Sequence, residues 1–295
     1  MIALNLFVFS IALPLMATLW LARWPRKPLL SWLSTFFFAA AFVAQSAITA
    51  PWSWLGIEWR YVLILLFLVA AVVSLRRTET PPIRPSTLFT VVKILLGTFF
   101  TVGAVMGLRG YVPPDDVIRL HSPLRNGSYI VGQGGSSVFV NYHNVYAPQR
   151  YALDIGKLTP FGTRARGFYP ADLTKYAIFG DPISSPCDGV VIASRDAVPD
   201  LAPPNHTEKL PEGNYVELNC EGAQVFLAHM RRGSVRVTTG ARVHTGDLLG
   251  NVGNSGNTTE PHLHIHAERN HIGVGIRIDG RWLVRNSVFS SSSAD

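Results

Sequence analysis

The sequence predicts two parts of different fold class: an α-helical membrane part with four transmembrane helices, followed by an all-β domain. Three observations support this. Four long apolar stretches lie in the first 108 residues, short apolar runs separated by Gly, Pro and Asn follow, and all nine histidines lie after residue 120. With 295 residues, the chain is long enough for two domains of ordinary size.

Charge is distributed unevenly between the two parts. Residues 1–107 contain 8 Lys/Arg and 2 Asp/Glu, whereas residues 108–295 contain 18 Lys/Arg and 17 Asp/Glu. Most of the formal net charge of +7 therefore belongs to the apolar part. Because the second part is nearly neutral, a nucleic-acid-binding surface is not expected there.

The four apolar stretches are predicted to cross a membrane, since about 20 residues span the hydrocarbon core. Buried core helices of a soluble protein are the alternative, which the near absence of acids disfavours. Tyr61–Leu75 is short unless Trp54–Trp59 enters with it, and Lys93 interrupts the fourth stretch near one end, where its stem could reach the interface. The first stretch has no preceding basic residue, so we do not expect a cleaved leader. The stretches are Ile2–Ala22, Leu29–Thr49, Tyr61–Leu75 and Leu88–Leu108.

The short loops between these stretches predict their orientation. Basic residues concentrate in the first and third loops, and the second loop has a single arginine. The positive-inside rule places both basic loops in the cytoplasm, so the β domain is expected on the outer side of the membrane. The basic residues are Arg23, Arg26 and Lys27 in the first loop, and Arg76, Arg77 and Arg84 in the third.

Beyond a four-helix anchor at residues 1–108 and a connector at 109–126, short strands are expected over residues 127–286, with a flexible serine-rich tail at 287–295. Many short strands separated by turn residues predict an all-β sandwich or barrel-like fold. The candidate strands are Ser137–His143, Tyr151–Ile155, Gly189–Ser194, Tyr215–Asn219, Gln224–Met230, Ser234–Thr238, His262–Glu268 and Val274–Ile278.

Three histidines in the seventh candidate strand are the most informative feature. His262, His264 and His266 alternate with apolar residues, so their side chains share one face of a strand. Three protonated imidazoles on one face would repel each other, whereas a divalent metal takes neutral imidazole. The pattern indicates a metal or catalytic site more strongly than three structural histidines.

Further candidates are weaker alone. His229 interrupts an apolar strand, where a packed core histidine is the more common interpretation. Asp154 is an acid in an apolar strand and needs a partner, which could be a metal or the nearby Arg150. His143 ends another strand. Two cysteines could form a disulfide in an oxidising compartment or remain buried thiols; they are Cys187 and Cys220.

Several segments together resemble the lysostaphin/LytM-type zinc metallopeptidases. The likeness covers roughly Gly127–Glu268 and is most specific in the Pro-His-Leu-His motif and the Gly/Asn/Ser-rich residues before it. Weaker matches are Phe179–Ile183, Cys187–Val191 and Leu227–Met230. The resemblance implies antiparallel sheets in a sandwich or half-barrel, a Zn²⁺ cofactor and hydrolysis of peptide bonds in bacterial cell-wall peptidoglycan.

By position, the resemblance implies that Asp154 and His264 bind zinc and that His262 and His229 are the catalytic histidines. It also implies a bacterial inner or cytoplasmic membrane, and a cell-wall substrate suits the extracytoplasmic side on which the basic loops place the β domain. The expected partners are peptide substrates and membrane lipid.

Two positions depart from the family pattern. Arg150 occupies the usual place of the first zinc-binding histidine and cannot ligate, because it stays protonated. His143, eleven residues before Asp154, is the expected substitute, and Arg150 could contact substrate or Asp154. His266 replaces a usual glutamate and could contact a metal ligand or substrate.

Two rival functions stay open at this point. Loss of the metal would leave an inactive fold that serves as a cell-wall binding or regulatory module, and Arg150 is the residue that favours it. A transporter with an outer cap is disfavoured, since the spans lack paired intramembrane charges.

Overall fold

A computed structural model describes residues 2–25, 28–77 and 86–291 of the chain. The chain divides into two compact units, one ending at Arg109 and the other beginning at Gly110. The parts of the sequence predictions that lie outside the described residues are Arg26, Lys27, Arg84 and residues 292–295.

Helices form the first unit. Among the described residues, four helical spans are long and apolar enough to cross a membrane, as predicted. A π-helical turn at Val8–Ala12 interrupts the first span. The third span begins at Glu58, so Trp59 enters it and it reaches 19 residues. The helices are α1 (Ile2–Phe7), α2 (Leu13–Arg23), α3 (Leu29–Thr49), α4 (Trp52–Leu55), α5 (Glu58–Arg76) and α6 (Thr87–Arg109).

Close packing of α3 against α6 holds this unit together. Phe42 of α3 stacks on Phe100 of α6, with ring centroids 4.1 Å apart. A side chain at Gly103 of α6 would clash with Gln45 of α3, so the small residue permits the close approach. Contacts of this kind drive helix association where lipid is as apolar as the side chains.

Lys93 of α6 points into the helical unit. Its side chain is buried, with a relative exposure of 3%. The Nζ atom donates to the Ser31 carbonyl at 3.1 Å and to Thr35 Oγ1 at 2.8 Å, and it lies 5.0 Å from the ring centroid of Trp24. The Lys93 ammonium group thus finds its partners in the first two turns of α3, which begins at Leu29.

The second unit is a mostly antiparallel β domain, as predicted. Its main sheet has the order β13-β2-β3-β10-β7-β6-β5-β8, with β11 also paired to β10, β1 and β12; β4 and β9 form a separate pair. The strands are β1 (Val117–Leu120), β2 (Gly127–Gln133), β3 (Leu153–Lys157), β4 (Pro182–Ser184), β5 (Gly189–Arg195), β6 (Asn214–Cys220), β7 (Ala223–Met230), β8 (Arg242–Val243), β9 (Leu248–Asn251), β10 (Leu263–Arg269), β11 (Ile272–Ile278), β12 (Arg281–Trp282) and β13 (Val288–Ser291).

Two candidate strands are wrong. Residues 137–140 form turns, and the Ser137 carbonyl accepts from the backbone N–H groups of Val140 and Asn141 at 3.1 and 2.9 Å. Ser234–Thr238 is not a strand: Val235 N–H donates to the Asp196 carboxylate at 3.2 Å, and Arg236 N–H makes a single bond to the Leu249 carbonyl of β9 at 2.9 Å. Local hydrogen bonds replace a strand ladder in the first segment, and isolated bonds to distant groups replace it in the second.

Strands β1 and β13 lie where the sequence suggests a connector and a flexible tail. β1 pairs in parallel with β11, and β13 pairs antiparallel with β2, placing Phe289 opposite Tyr129. Both strands are only four residues long. Such short edge strands have little periodic signal in sequence, although pairing orders them in the fold.

The hydrophobic core lies on one side of the central strands. Leu227, Leu263 and Ile265 are each fully buried there, and burial of such a side chain contributes about 1.5–3 kcal/mol. A disulfide joins Cys187, before β5, to Cys220 at the end of β6, with Cα atoms 6.0 Å apart. Of the two alternatives that the sequence left open, a disulfide or two buried thiols, the structure contains the disulfide.

Candidate active site

Strands β3 and β10 bring the predicted site residues onto one face of the sheet. The antiparallel register places His264 of β10 directly opposite Asp154 of β3. Because side chains alternate along a strand, Leu263 and Ile265 turn into the core. His264 and His266 share the opposite face, as their spacing in sequence predicts.

The Asp154 carboxylate is the centre of a cluster of imidazoles. Its Oδ1 atom lies 2.9 Å from His264 Nδ1 and 3.4 Å from His262 Nε2. Its Oδ2 atom lies 3.0 Å from His143 Nε2. Asp154, His143 and His264 each offer a ligand atom, and the three atoms lie within 4.8 Å of one another. The structure therefore groups the three residues that the sequence suggests as metal ligands.

His143 reaches this cluster from a 3₁₀ helix, Tyr142–Val145, rather than from the end of a strand. Asn141 caps that helix: its Oδ1 accepts from the His143 backbone N–H at 3.2 Å. The Asn141 amide also donates to the Ala152 carbonyl at 3.1 Å, which ties the turn to the start of β3. Asn141 thus orients the loop that carries His143, a role that sequence alone did not suggest.

His229 and His262 present their Nε2 atoms to the cluster. His229 Nδ1 lies 2.9 Å from the Ser255 carbonyl, and His262 Nδ1 lies 2.9 Å from the Glu260 carbonyl. A carbonyl only accepts, so each Nδ1 carries a proton, and each Nε2 has a free lone pair when its ring is neutral. His262 Nε2 is buried and makes no hydrogen bond of acceptable geometry, even to the Asp154 oxygen at 3.4 Å.

The backbone at His229 is strained. Its φ of 61° lies in the left-handed region, which a non-glycine residue adopts at a cost of about 1–3 kcal/mol. The neighbouring pairing of β6 with β7 shows a register irregularity between Asn214 and Val216. Strain of this kind concentrates at functional sites, where the surrounding structure holds one side chain in place.

His266 contacts the other nitrogen of His264. Its Nδ1 atom lies 3.0 Å from His264 Nε2, and its ring stacks on Phe226 with centroids 4.5 Å apart. If His264 Nδ1 binds a metal, His264 Nε2 carries the proton and donates it to His266. An acceptor of this kind fixes the orientation of a metal-binding imidazole.

A buried ion pair supports the segment before β10. Arg164 donates to both Glu260 oxygens, at 2.8 and 2.7 Å from Nε, and its side chain is 6% exposed. Tyr169 donates to the Thr259 carbonyl at 2.9 Å. Since the Glu260 carbonyl holds His262 Nδ1, the pair orients the histidine indirectly.

Electrostatics keep the central carboxylate ionised and act in opposite directions on the imidazoles. Burial disfavours the charged form of His262, but Asp154 and the other polar neighbours of this ring together outweigh burial and raise the pKa of His262. Burial disfavours the Asp154 anion, but His143 and His262 outweigh it and hold the pKa of Asp154 well below its usual value. Burial lowers the pKa of His264, and burial together with neighbouring imidazoles lowers the pKa of His229 well below its usual value. Neutral imidazole and ionised carboxylate are the forms that bind metal.

His143, His229, His264 and His266 line a cleft of about 270 Å³, whereas Asp154 and His262 are not among its lining residues. Tyr142 and Tyr146 stand at its rim, both more than half exposed, and Glu212 lines the cleft as well. Arg150 is not among the residues that line it; its guanidinium lies 5.7 Å from the ring centroid of Tyr151. The described ion pairs of Asp154 are with histidines and do not include Arg150.

Two further residues near Asp154 were missed in the sequence analysis. Tyr142 Oη lies 3.5 Å from Asp154 Oδ2, and its ring packs on His143 with centroids 4.1 Å apart. Burial lowers the pKa of Arg285 to about 10, although the charge of Asp154 opposes the shift. An aromatic in an irregular turn and an arginine near the chain end carry no pattern that would have identified them.

Imidazole nitrogens and a carboxylate grouped in this way are donor types that zinc binds in proteins. Residues 173–275 match the model of peptidase family M23, so the chain contains an M23 peptidase domain. The match includes His229, His262 and His264, but it begins after His143 and Asp154. No curated protein sequence matches the chain.

Solved structures with detectable similarity include several peptidases. A peptidase M23 from Pseudomonas aeruginosa is 20% identical, with a TM-score of 0.32, over 65% of this chain and 61% of that one. A zinc-containing peptidase from Vibrio cholerae is 20% identical, with a TM-score of 0.26, over 42% and 48%. The catalytic domain of lysostaphin from Staphylococcus simulans is 18% identical, with a TM-score of 0.24, over 38% and 84%. The chain thus spans less than two thirds of the first two.

Proposed function

We propose that the β domain is a zinc endopeptidase that hydrolyses peptide bonds in cell-wall peptidoglycan. The observation that carries this proposal is the grouping of His143, Asp154 and His264 at a cleft in an M23 peptidase domain. The substitute histidine reaches Asp154 although Arg150 occupies the usual position. An inactive binding module has no physical need for this set of ligands.

The residues present fit a zinc ion. Two imidazoles and one carboxylate are the donor types that zinc takes at catalytic sites, where a fourth position stays open for water or substrate. All three side chains are buried, and the Asp154 anion would balance part of the cation's charge. His266 would hold the orientation of His264 through the contact of 3.0 Å between their rings.

Hydrolysis then follows from the remaining groups of the cleft. When bound, zinc polarises the scissile carbonyl and lowers the pKa of a water toward ~7. His229 and His262 each carry an Nε2 atom that can accept a proton when the ring is neutral, so one ring can take the proton of the attacking water and pass it to the leaving amine. The other ring lies close by, with centroids 5.0 Å apart, and can stabilise charge on the substrate.

We further propose that the helical unit anchors the domain in the bacterial cytoplasmic membrane, with the β domain on the extracytoplasmic side. Four apolar spans and the basic loops support this orientation. The disulfide of Cys187 and Cys220 also suits an oxidising compartment. Peptidoglycan is a substrate available on that side.

The test is to purify the full chain in detergent and measure its zinc content and its release of peptides from isolated peptidoglycan. We expect about one tightly bound zinc and hydrolysis in the wild type, and loss of both in His143→Ala. His244→Ala is the matched control, because His244 is exposed and pairs with Asp247 away from the cluster.

Either of two results would contradict the proposal. A wild-type chain that holds zinc but leaves peptidoglycan intact would exclude this substrate. Full zinc content and full hydrolysis in His143→Ala would remove His143 from the site.

A further inference from the structure

We propose that the histidine cluster takes a second divalent cation, held by His229 and His262. The proposal rests on the proposed function in one respect, since it takes His143, Asp154 and His264 as the holders of the first ion. The two sites are neighbours in one cluster, since both ligand groups include His264, and the second ion would bind groups that the reaction needs.

The geometry points to two overlapping ligand groups. His229, His262 and His264 each offer a nitrogen, and these atoms also lie within 4.8 Å of one another. His264 is common to both groups, and its Nδ1 atom faces Asp154 at 2.9 Å. With that nitrogen given to the first ion, His229 and His262 remain for a second.

Both remaining rings are already oriented as metal ligands. A metal-binding histidine almost always donates its other N–H to a carbonyl, a carboxylate or water. His229 does so to the Ser255 carbonyl and His262 to the Glu260 carbonyl, each at 2.9 Å. The Nε2 lone pairs are therefore available without any change of tautomer.

His262 Nε2 is also a buried acceptor without a suitable donor. Leaving such a group unsatisfied costs about 1–3 kcal/mol. A cation at this nitrogen would remove the cost, whereas the neighbouring Asp154 oxygen at 3.4 Å can pair with the nitrogen only when the ring is protonated.

The second site would be weaker than the first and would inhibit. It has two protein ligands, both neutral, and no carboxylate of its own. Imidazole suits zinc, copper and nickel. An ion there occupies the Nε2 atoms that would otherwise move the proton of the attacking water, so excess zinc would slow hydrolysis.

The test is equilibrium dialysis of the full chain in detergent against increasing Zn²⁺, followed by metal analysis. We expect two binding steps, a tight one and one at least about tenfold weaker, a ratio that corresponds to 1.4 kcal/mol. His229→Ala and His262→Ala should each lose the weak step and keep the tight one. His143→Ala should lose the tight step, and His244→Ala should keep both.

Saturation at one ion in the wild type would overturn the proposal. So would a weak step that persists in both His229→Ala and His262→Ala. Loss of the tight step in these two variants would mean that a single ion uses the second group, which also overturns it. Because binding is measured without substrate, failure of the proposed peptidase activity would not be mistaken for failure of the second site.

Discussion

Lys93 of the helical unit and Asp154 of the β unit are both almost fully buried, at 3% and 8% exposure, but their surroundings differ. Lys93 donates to fixed oxygen acceptors on α3, with the closest at 2.8 Å from Thr35. Asp154 is surrounded by imidazoles, whose protons can move between two nitrogens. Fixed partners make a structural contact, whereas a carboxylate among imidazole lone pairs makes a site that a cation can enter.

The largest effect is expected from Asp154→Asn, which keeps the shape of the side chain and removes its charge. Zinc content should fall to near zero. Hydrolysis should fall on the order of 1000-fold, since polarisation by a metal is worth several kcal/mol. Asp188→Asn is the control, because Asp188 bonds to Thr245 outside the cluster. Full zinc occupancy in Asp154→Asn would show that Asp154 is not a metal ligand, and that it has, like Lys93, a structural role.

His266→Phe should give the next largest effect. Phenylalanine keeps a ring against Phe226 but removes the nitrogen that lies 3.0 Å from His264 Nε2. Loss of such a partner typically weakens metal binding about 10–100-fold. Competition with a chelator would measure it, with the exposed His271→Phe as control. Unchanged affinity would show that His266 does not orient His264.

Thr35→Val tests the structural role of the Lys93 contacts with α3. Valine is similar in shape but leaves Lys93 Nζ without its closest acceptor, and an unsatisfied buried donor costs about 1–3 kcal/mol. We expect lower stability of the helical unit in detergent, measured by denaturant unfolding, with unchanged zinc content. Thr90→Val is a matched control, since Thr90 bonds only within its own exposed helix turn. Equal stability of both variants would contradict the structural role of the Lys93 contacts.

The smallest effect is expected from a third buried ionisable group. Burial raises the pKa of Glu217 above its usual 4.5, although Gln224 opposes the shift. The folded state therefore holds this proton more tightly than the unfolded state, and the resulting stability, present below pH 4.5, is lost as pH rises through the folded pKa.

Glu217→Gln should consequently raise the unfolding temperature slightly at pH 7. The difference from wild type should shrink as the pH approaches 4.5. Thermal unfolding at both pH values would measure this, and a variant that is no more stable at pH 7 would contradict it.

Sequence patterns predicted the parts of the molecule that repeat locally. The four spans follow from apolar length, and the shared face of His262, His264 and His266 follows from alternation along one strand. Ser137–His143 has the apolar residues of a strand, but Val138, Phe139 and Val140 lie in turns. The β propensity of a residue depends on its type and does not indicate which acceptors the backbone N–H groups of the segment will bond to.

Contacts between distant segments were not predictable in the same way. Arg164 and Glu260 are 96 residues apart in sequence, and each alone reads as a surface charge. Tyr142 and Arg285 gain their positions near Asp154 only through the pairing of strands and the turns between them. The placement of His143 was predicted from the family pattern and its distance from Asp154, while its 3₁₀ helix was not.

The disulfide makes the stability of the β domain depend on the redox state of its surroundings. It closes a loop with a sequence separation of 33 residues, which corresponds to about 4 kcal/mol in the chain-entropy account. Cytosolic thiols are kept reduced, so a chain retained there would lack this contribution. The β domain would then reach its full free energy of unfolding only after it enters an oxidising compartment, where the disulfide can form.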